Sequence, residues 1–160
     1  MTDFVERFGS IYEHSPWVAE EAELLLGEDY DAERLAAVMA DCVDNASSDK
    51  QLALIRAHPD LAGRAQVAGE LTAESTSEQS SAGLDRCSED EWSRFQVLND
   101  AYWKRFGFPF VMAVRNSSRA DILDAFEKRL GNDQDLEFET ALQEIHKIAR
   151  LRLAAMEDLE

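Results

Sequence analysis

Apolar residues recur every three or four positions along nearly the whole chain, and no segment alternates strictly for long. That period belongs to helices, and it rules out a sheet as the organising element. Punctuation residues fall where the pattern breaks. Phe4, Phe8, Ile11 and Tyr12 make a short amphipathic turn or helix that ends near His14-Ser15-Pro16. Ser15 is placed to cap, and Pro16 to open, a helix carrying Trp17, Ala22, Leu24 and Leu25, which Gly27 stops. Asp31 caps a helix with Leu35, Val38, Met39, Cys42 and Ala46 on its stripe, and Ser47-Ser48-Asp49 starts another that runs to His58. An alanine-rich helical segment is expected between Gly63 and Gly69, then a helix capped by Thr72 and stopped by Gly83.

Ser88-Glu89-Asp90-Glu91 has the spacing of a capping box. The helix it opens carries Trp92, Phe95, Leu98, Tyr102 and Phe106 on one stripe and closes at Gly107. Phe108 to Val114 is apolar but broken by Pro109, and reads as an irregular turn entering a buried short helix. Ser117 or Ser118 caps a helix with Ile122, Leu123 and Phe126, ended by Gly131-Asn132, and a last helix runs from about Asp135 onward. With short connections and no repeat, about eight helices make an all-α domain spanning 1–160.

Charge narrows what such a domain can bind. Thirty-three acids against sixteen bases give a net charge of −17, which argues against nucleic acid, because phosphate contacts need a basic face. Lys50, Lys104, Lys128 and Lys147 are the only lysines. Two readings of the acid excess stay open: a surface built for a high-salt cytoplasm, or an ordinary acidic protein. No run approaches the roughly 18 apolar residues of a membrane span. The N-terminus lacks a basic stretch followed by an apolar block, so no secretory signal is read there. Cys42 and Cys87 form no C-x-x-C pair, and Cys42 on an apolar stripe suits a reducing cell interior. A cytoplasmic location is expected.

Three local features carry chemistry. Pro59 keeps the residue before it out of the helical region, so His58 should sit where its helix stops, with a side chain whose ordinary pKa is near 6.5. Ser75, Glu78 and Gln79 are spaced i, i+3, i+4 and share one helix face. Arg152 falls on the last helix's apolar stripe with Phe138, Leu142, Ile145, Ala149, Met156 and Leu159. A guanidinium cannot deprotonate to escape burial, so Arg152 needs an internal carboxylate, a run of carbonyls or a ligand.

Five stretches taken together resemble the 2-oxo-4-hydroxy-4-carboxy-5-ureidoimidazoline (OHCU) decarboxylase family. They are Tyr12-Glu13-His14-Ser15-Pro16-Trp17-Val18-Ala19-Glu20, Ile55-Arg56-Ala57-His58-Pro59-Asp60-Leu61, the Ser75 to Leu84 pattern, the Leu98 to Phe110 pattern, and Ile145-x-x-Ile148-Ala149-x-x-Arg152-Leu153. They occur in family order over nearly the whole chain. The resemblance implies an all-α, cofactor-free homodimer that converts OHCU to (S)-allantoin after urate oxidation and hydroxyisourate hydrolysis. It puts the catalytic histidine on His58. It puts substrate binding on Pro59, on Ser75, Thr76, Ser77, Glu78 and Gln79, on Phe110, Val111, Met112, Ala113 and Val114, and on Arg152.

The residue types suit that reaction. Decarboxylation needs a sink for an electron pair, and none of the lysines lies in a motif to form a Schiff base. His14, His58 and His146 lack the spacing of metal ligands, so no metal is expected. The substrate's own ring C=N can take the electrons, leaving His58 to handle the proton. Glu78 is catalytic in this reading, its carboxylate accepting from the ureido N–H groups. Backbone N–H groups from Val111 to Val114 are candidates to hold oxyanions. A non-catalytic acidic helical module would have little reason to carry the Ser75, Glu78 and Gln79 face. A hydrolase or isomerase of a related ureide remains the alternative with chemistry.

Overall fold

Helix starts follow the caps. In a computed structural model that describes residues 2–63 and 70–156, the side chains of Thr2, Asp31, Ser47, Thr72, Ser88 and Ser118 each accept a backbone N–H at a helix N-terminus. The helices are α1 (Asp3–Phe8), α2 (Trp17–Leu25), α3 (Ala32–Asp44), α4 (Ser48–Ala57), α5 (Ala73–Ser81), α6 (Glu89–Phe106), α7 (Arg119–Leu130) and α8 (Gln134–Ala154), with a 3₁₀ turn at Leu84–Arg86. No strand occurs among the described residues, so the protein is all-α. None of its helices is long and apolar enough to cross a membrane, again among the described residues. The alanine-rich helix expected before Gly69 falls at 64–69, outside the described residues, as does Leu159.

The chain gathers into two compact units. One comprises Met1–His58 and Ile145–Glu160, the other Pro59–Glu144. Its described buried residues in the first include Phe8, Tyr12, Val18, Ala22, Leu35, Met39, Cys42, Leu54, Ile55, Ile145 and Ala149. The second is built on aromatic rings: Tyr102 packs edge-on against Phe108, Phe110 and Phe126, with centroids 5.5–5.9 Å away. Phe110 and Phe126 stack face to face at 3.9 Å.

One carboxylate ties two helix starts together in this second unit. Glu91 closes the capping box with Ser88, and its other oxygen accepts from Arg119 Nε at 2.9 Å. Arg119 Nη1 also donates to the Gly83 carbonyl. Gly83 has φ +77°, and a Cβ there would sit 2.7 Å from that nitrogen, so a larger residue would be strained and would push the guanidinium aside.

Three local expectations are corrected, on Ser15, Trp92 and the Phe108 to Val114 run. Ser15 does not cap α2: its hydroxyl donates to the Glu13 carbonyl, and Pro16 takes the N-cap position without a side-chain bond. Val18, Ala19 and Ala22 form the buried face of α2, which leaves Leu24 and Leu25 exposed at its C-terminal end. Trp92 lies in the first turn of α6 at the edge of the stripe and is exposed, while Phe95, Leu98, Tyr102 and Phe106 are buried. Phe108 to Val114 enters no helix: it is an irregular strap, because side chains rather than a backbone ladder hold it.

Candidate active site

His58 ends α4 as the sequence requires. Ser47 starts the helix, and Pro59 forces His58 to φ −74°, ψ 139°, so the chain leaves in an extended conformation. The imidazole is buried, and its Nε2 has no hydrogen-bond partner. Buried polar atoms are nearly always paired, so an orphan on a titratable ring is the strongest chemical signal in the first unit. Burial lowers the His58 pKa from 6.5 to about 4, the Glu13 carboxylate opposing that fall and Arg152 and His14 adding to it. The ring is therefore neutral at pH 7.

Arg152 finds two of the three kinds of partner open to it. Its Nη1 donates to the carbonyls of Ser10 and Ile11 at 3.2 and 3.4 Å, and its Nη2 pairs with the buried Glu13 carboxylate at 3.3 Å. Glu13 thus stands next to Arg152 and acts electrostatically on His58, a residue the sequence quoted in a motif without giving it a role. The other histidines are occupied or exposed. His14 sits in a turn with φ +46° and faces solvent. His146 bonds Tyr12 Oη through Nδ1 at 2.8 Å and Asp44 through Nε2 at 2.9 Å. Burial raises the Tyr12 pKa, so its hydroxyl stays protonated.

In the second unit, the segment after Pro59 is clamped by side-chain amides. Gln79 Oε1 accepts from Ala62 N–H at 3.0 Å, and its Nε2 donates to the Asp60 carbonyl at 3.2 Å. Gln96 Nε2 donates to the Ala62 carbonyl and Asn99 Nδ2 to the Leu61 carbonyl, at 2.7 and 3.0 Å. Trp103 Nε1 donates to Asp60 Oδ1, whose carboxyl is nonetheless pushed up by burial. On α5, Ser75, Glu78 and Gln79 form one buried face, as their spacing predicts. Thr76 and Ser77 are exposed, and Thr76 Oγ1 donates to the Thr72 carbonyl one turn back.

The strap from Phe110 to Val114 is held from two sides. Arg129 Nη1 donates to the Val111 carbonyl at 2.6 Å, and Glu144 accepts from Ala113 N–H at 3.1 Å. The Ala113 N–H is therefore not the free oxyanion donor the sequence suggested. Among the described residues, no group of three or more His, Cys, Asp or Glu is placed to hold a metal ion.

The sequence model of the OHCU decarboxylase family matches residues 1–154. The chain belongs to that family. A 2-oxo-4-hydroxy-4-carboxy-5-ureidoimidazoline decarboxylase of Haloferax volcanii is 48% identical over 151 residues, covering 94% of this chain and 87% of the relative. One from Halalkalicoccus jeotgali is 46% identical, covering 94% and 82%. Among solved structures, an (S)-allantoin synthase matches with TM-score 0.75 and 34% identity over 94% of this chain, which spans 48% of that chain. An OHCU decarboxylase crystallised in the presence of (S)-allantoin matches with TM-score 0.75 at 23% identity, a likeness of fold.

The OHCU decarboxylase motifs contribute His58, Glu13 and Arg152 in the first unit, and the α5 face and strap in the second. Sequence reasoning missed the roles of Glu13, Gln96, Asn99, Arg129 and Glu144. Only Asn99 carried a signal, a polar residue between Leu98 and Tyr102 on a helix's core-facing side.

Proposed function

We propose that this chain decarboxylates OHCU to (S)-allantoin in urate breakdown, without a cofactor, with His58 as the proton-handling residue. The observation that carries the reading is the buried, unpartnered Nε2 of a neutral His58 at a proline-fixed corner. A neutral imidazole is a base, ready to take a proton on meeting substrate. In this reading, CO₂ leaves C4 and its bonding pair passes into the ring C=N. His58 removes the C4 hydroxyl proton as that oxygen becomes a carbonyl. Proton delivery to carbon from one face then sets the (S) configuration, with a second proton drawn from solvent.

Glu78, as a carboxylate, accepts from the paired N–H groups of the ureido arm, and Ser75 supports the same face. Gln79 acts through the Pro59 segment that its amide holds. Arg152 faces a substrate oxygen that gains charge, since a firm grip on the departing carboxylate would stabilise the ground state and slow the reaction. Pro59 and the Phe110 to Val114 strap complete substrate contact, with Phe110 excluding water. The family resemblance extends to a homodimer, which sedimentation would test.

The decisive experiment generates OHCU in situ from urate, then follows its absorbance and the chirality of the allantoin formed. Accelerated OHCU loss with (S)-allantoin as product is expected. Spontaneous rates and racemic product in the presence of folded protein would defeat the reading.

A further inference from the structure

The strap from Phe110 to Val114 belongs to no helix or strand, so its backbone groups must be held by other means. Buried charge does this. Glu137, near the start of α8, is fully buried and takes three donors: Tyr102 Oη at 2.5 Å, Arg129 Nε at 2.9 Å and Asn132 Nδ2 at 2.9 Å. Burial, reinforced by the bond to Glu137, raises the Tyr102 pKa, so its hydroxyl remains a donor. Thus anchored, Arg129 reaches the strap in two ways. Nη1 donates to the Val111 carbonyl, and the guanidinium carbon lies 4.4 Å from the Phe110 ring centroid. Phe110 is pressed in turn on Phe126.

A planar fork suits this task and an ammonium does not. One guanidinium addresses a carboxylate, a carbonyl and an aromatic face in fixed relative directions, whereas lysine offers a single flexible point charge. The arrangement leaves Arg129 Nη2 buried without a partner. An unpaired buried donor is a cost that stability alone does not explain. It is consistent with a side chain kept for where it holds the strap.

We propose that Arg129 is a positioning residue for substrate binding: it fixes the Phe110 to Val114 strap in the shape that receives substrate, without touching the substrate. The inference rests on the reading of the strap as a substrate-binding segment. Glu137 sets the guanidinium, the guanidinium sets the Val111 carbonyl and the Phe110 ring, and Glu144 fixes Ala113 independently.

The test uses full-length Arg129→Lys, which keeps the charge beside Glu137 but cannot span all three contacts. Two readouts are taken: amide hydrogen exchange at Val111 to Val114, and KM and kcat with OHCU generated in situ. The expected result is strap exchange about tenfold faster and KM raised about tenfold, with kcat within about threefold and its pH profile unmoved. Unchanged KM overturns the proposal, whatever the exchange rates, and leaves the decarboxylase reading standing. Wild-type protein that does not turn over OHCU overturns that reading and this inference with it. Should Arg129→Lys fail to fold, Phe110→Leu keeps the Arg129–Glu137 pair and removes only the ring. Its strap exchange should still quicken, and exchange at the wild-type rate there overturns the proposal.

Discussion

Glu137–Arg129 and Glu13–Arg152 are both carboxylate–guanidinium pairs with little exposure, 0% and 11% for the side chains of the first pair, 2% and 3% for those of the second. Their surroundings differ. Glu137 is saturated by Tyr102, Asn132 and Arg129, at distances of 2.5–2.9 Å. Glu13 meets Arg152 at a looser 3.3 Å, and the same arginine leans on two backbone carbonyls. Beside the first pair, the unpartnered atom is a guanidinium nitrogen, which cannot change its charge. Beside the second it is an imidazole nitrogen, which can. A buried ion pair is weak evidence of anything by itself. On the proposed reading, what separates scaffold from chemistry is whether the orphan next to the pair can gain or lose a proton.

The hardest test of that contrast is His58→Asn. It keeps size and hydrogen bonding but cannot shuttle a proton, so turnover of OHCU should fall by about 10²–10⁴-fold in a protein that still folds and binds allantoin. His14→Asn and His146→Asn are the controls and should keep near-wild-type rates when folded. A folded His58→Asn turning over within a few-fold of wild type would take His58 out of the mechanism. Next in size is Glu137→Ala, which strands the Arg129 charge in the interior and should cost about 3–5 kcal/mol in urea unfolding. A loss below about 1 kcal/mol would mean the Glu137–Arg129 pair is not the scaffold described.

pH sharpens the comparison further. Because burial holds the His58 pKa near 4, below its unfolded value of 6.5, the folded state binds fewer protons than the unfolded state between those two pH values. Stability should therefore be intact above pH 6.5 and decline towards pH 4, by on the order of 3 kcal/mol from this residue. His58→Asn should flatten that decline. The acid limb of kcat/KM should lie near 4 rather than 6.5, and a limb at 6.5 would show His58 to be ordinary in the free enzyme. Glu13→Gln should move the limb lower still, because the carboxylate opposes the effect of burial.

Salt should produce the smallest and most diffuse effect. The buried pairs are shielded from ions, but the surface carries most of the −17 charge. Melting temperature should rise as salt approaches about 1 M, where the Debye length shrinks to about 3 Å and acidic self-repulsion is screened. Full stability in dilute buffer would remove the high-salt reading of the surface without touching the site.

What was legible in the sequence was local. Pro59 acts on its immediate neighbour, so the His58 corner could be read from two residues. Thr72, Ser88 and Ser118 cap from within a single turn. Arg152 announced that it needed a partner, yet the sequence left carboxylate, carbonyl and ligand open, because the partners lie about 140 residues away. Glu13 gave no sign of burial in a polar run. The strap was misread because an apolar run among helices resembles another helix, and what holds it are Arg129 and Glu144, 18 and 31 residues beyond the groups they bind. Gln79 was linked to the ligand by the family resemblance, and no local pattern showed that its amide also holds the backbone of Asp60 and Ala62. In each case a long-range hydrogen bond decided what local pattern could not.

Glu91 divides its two oxygens between the Ser88 N–H and Arg119, and its carboxyl is held below the usual range mainly by the Ser88 bond. The two contacts form on different scales of chain length. The cap closes within one turn of α6, on the timescale of helix growth, whereas Arg119 must be brought back across 28 residues. The capping bond therefore needs only the first turn of α6, whereas the Arg119 bond needs the tertiary fold, and a single side chain serves as both local stop signal and long-range tie.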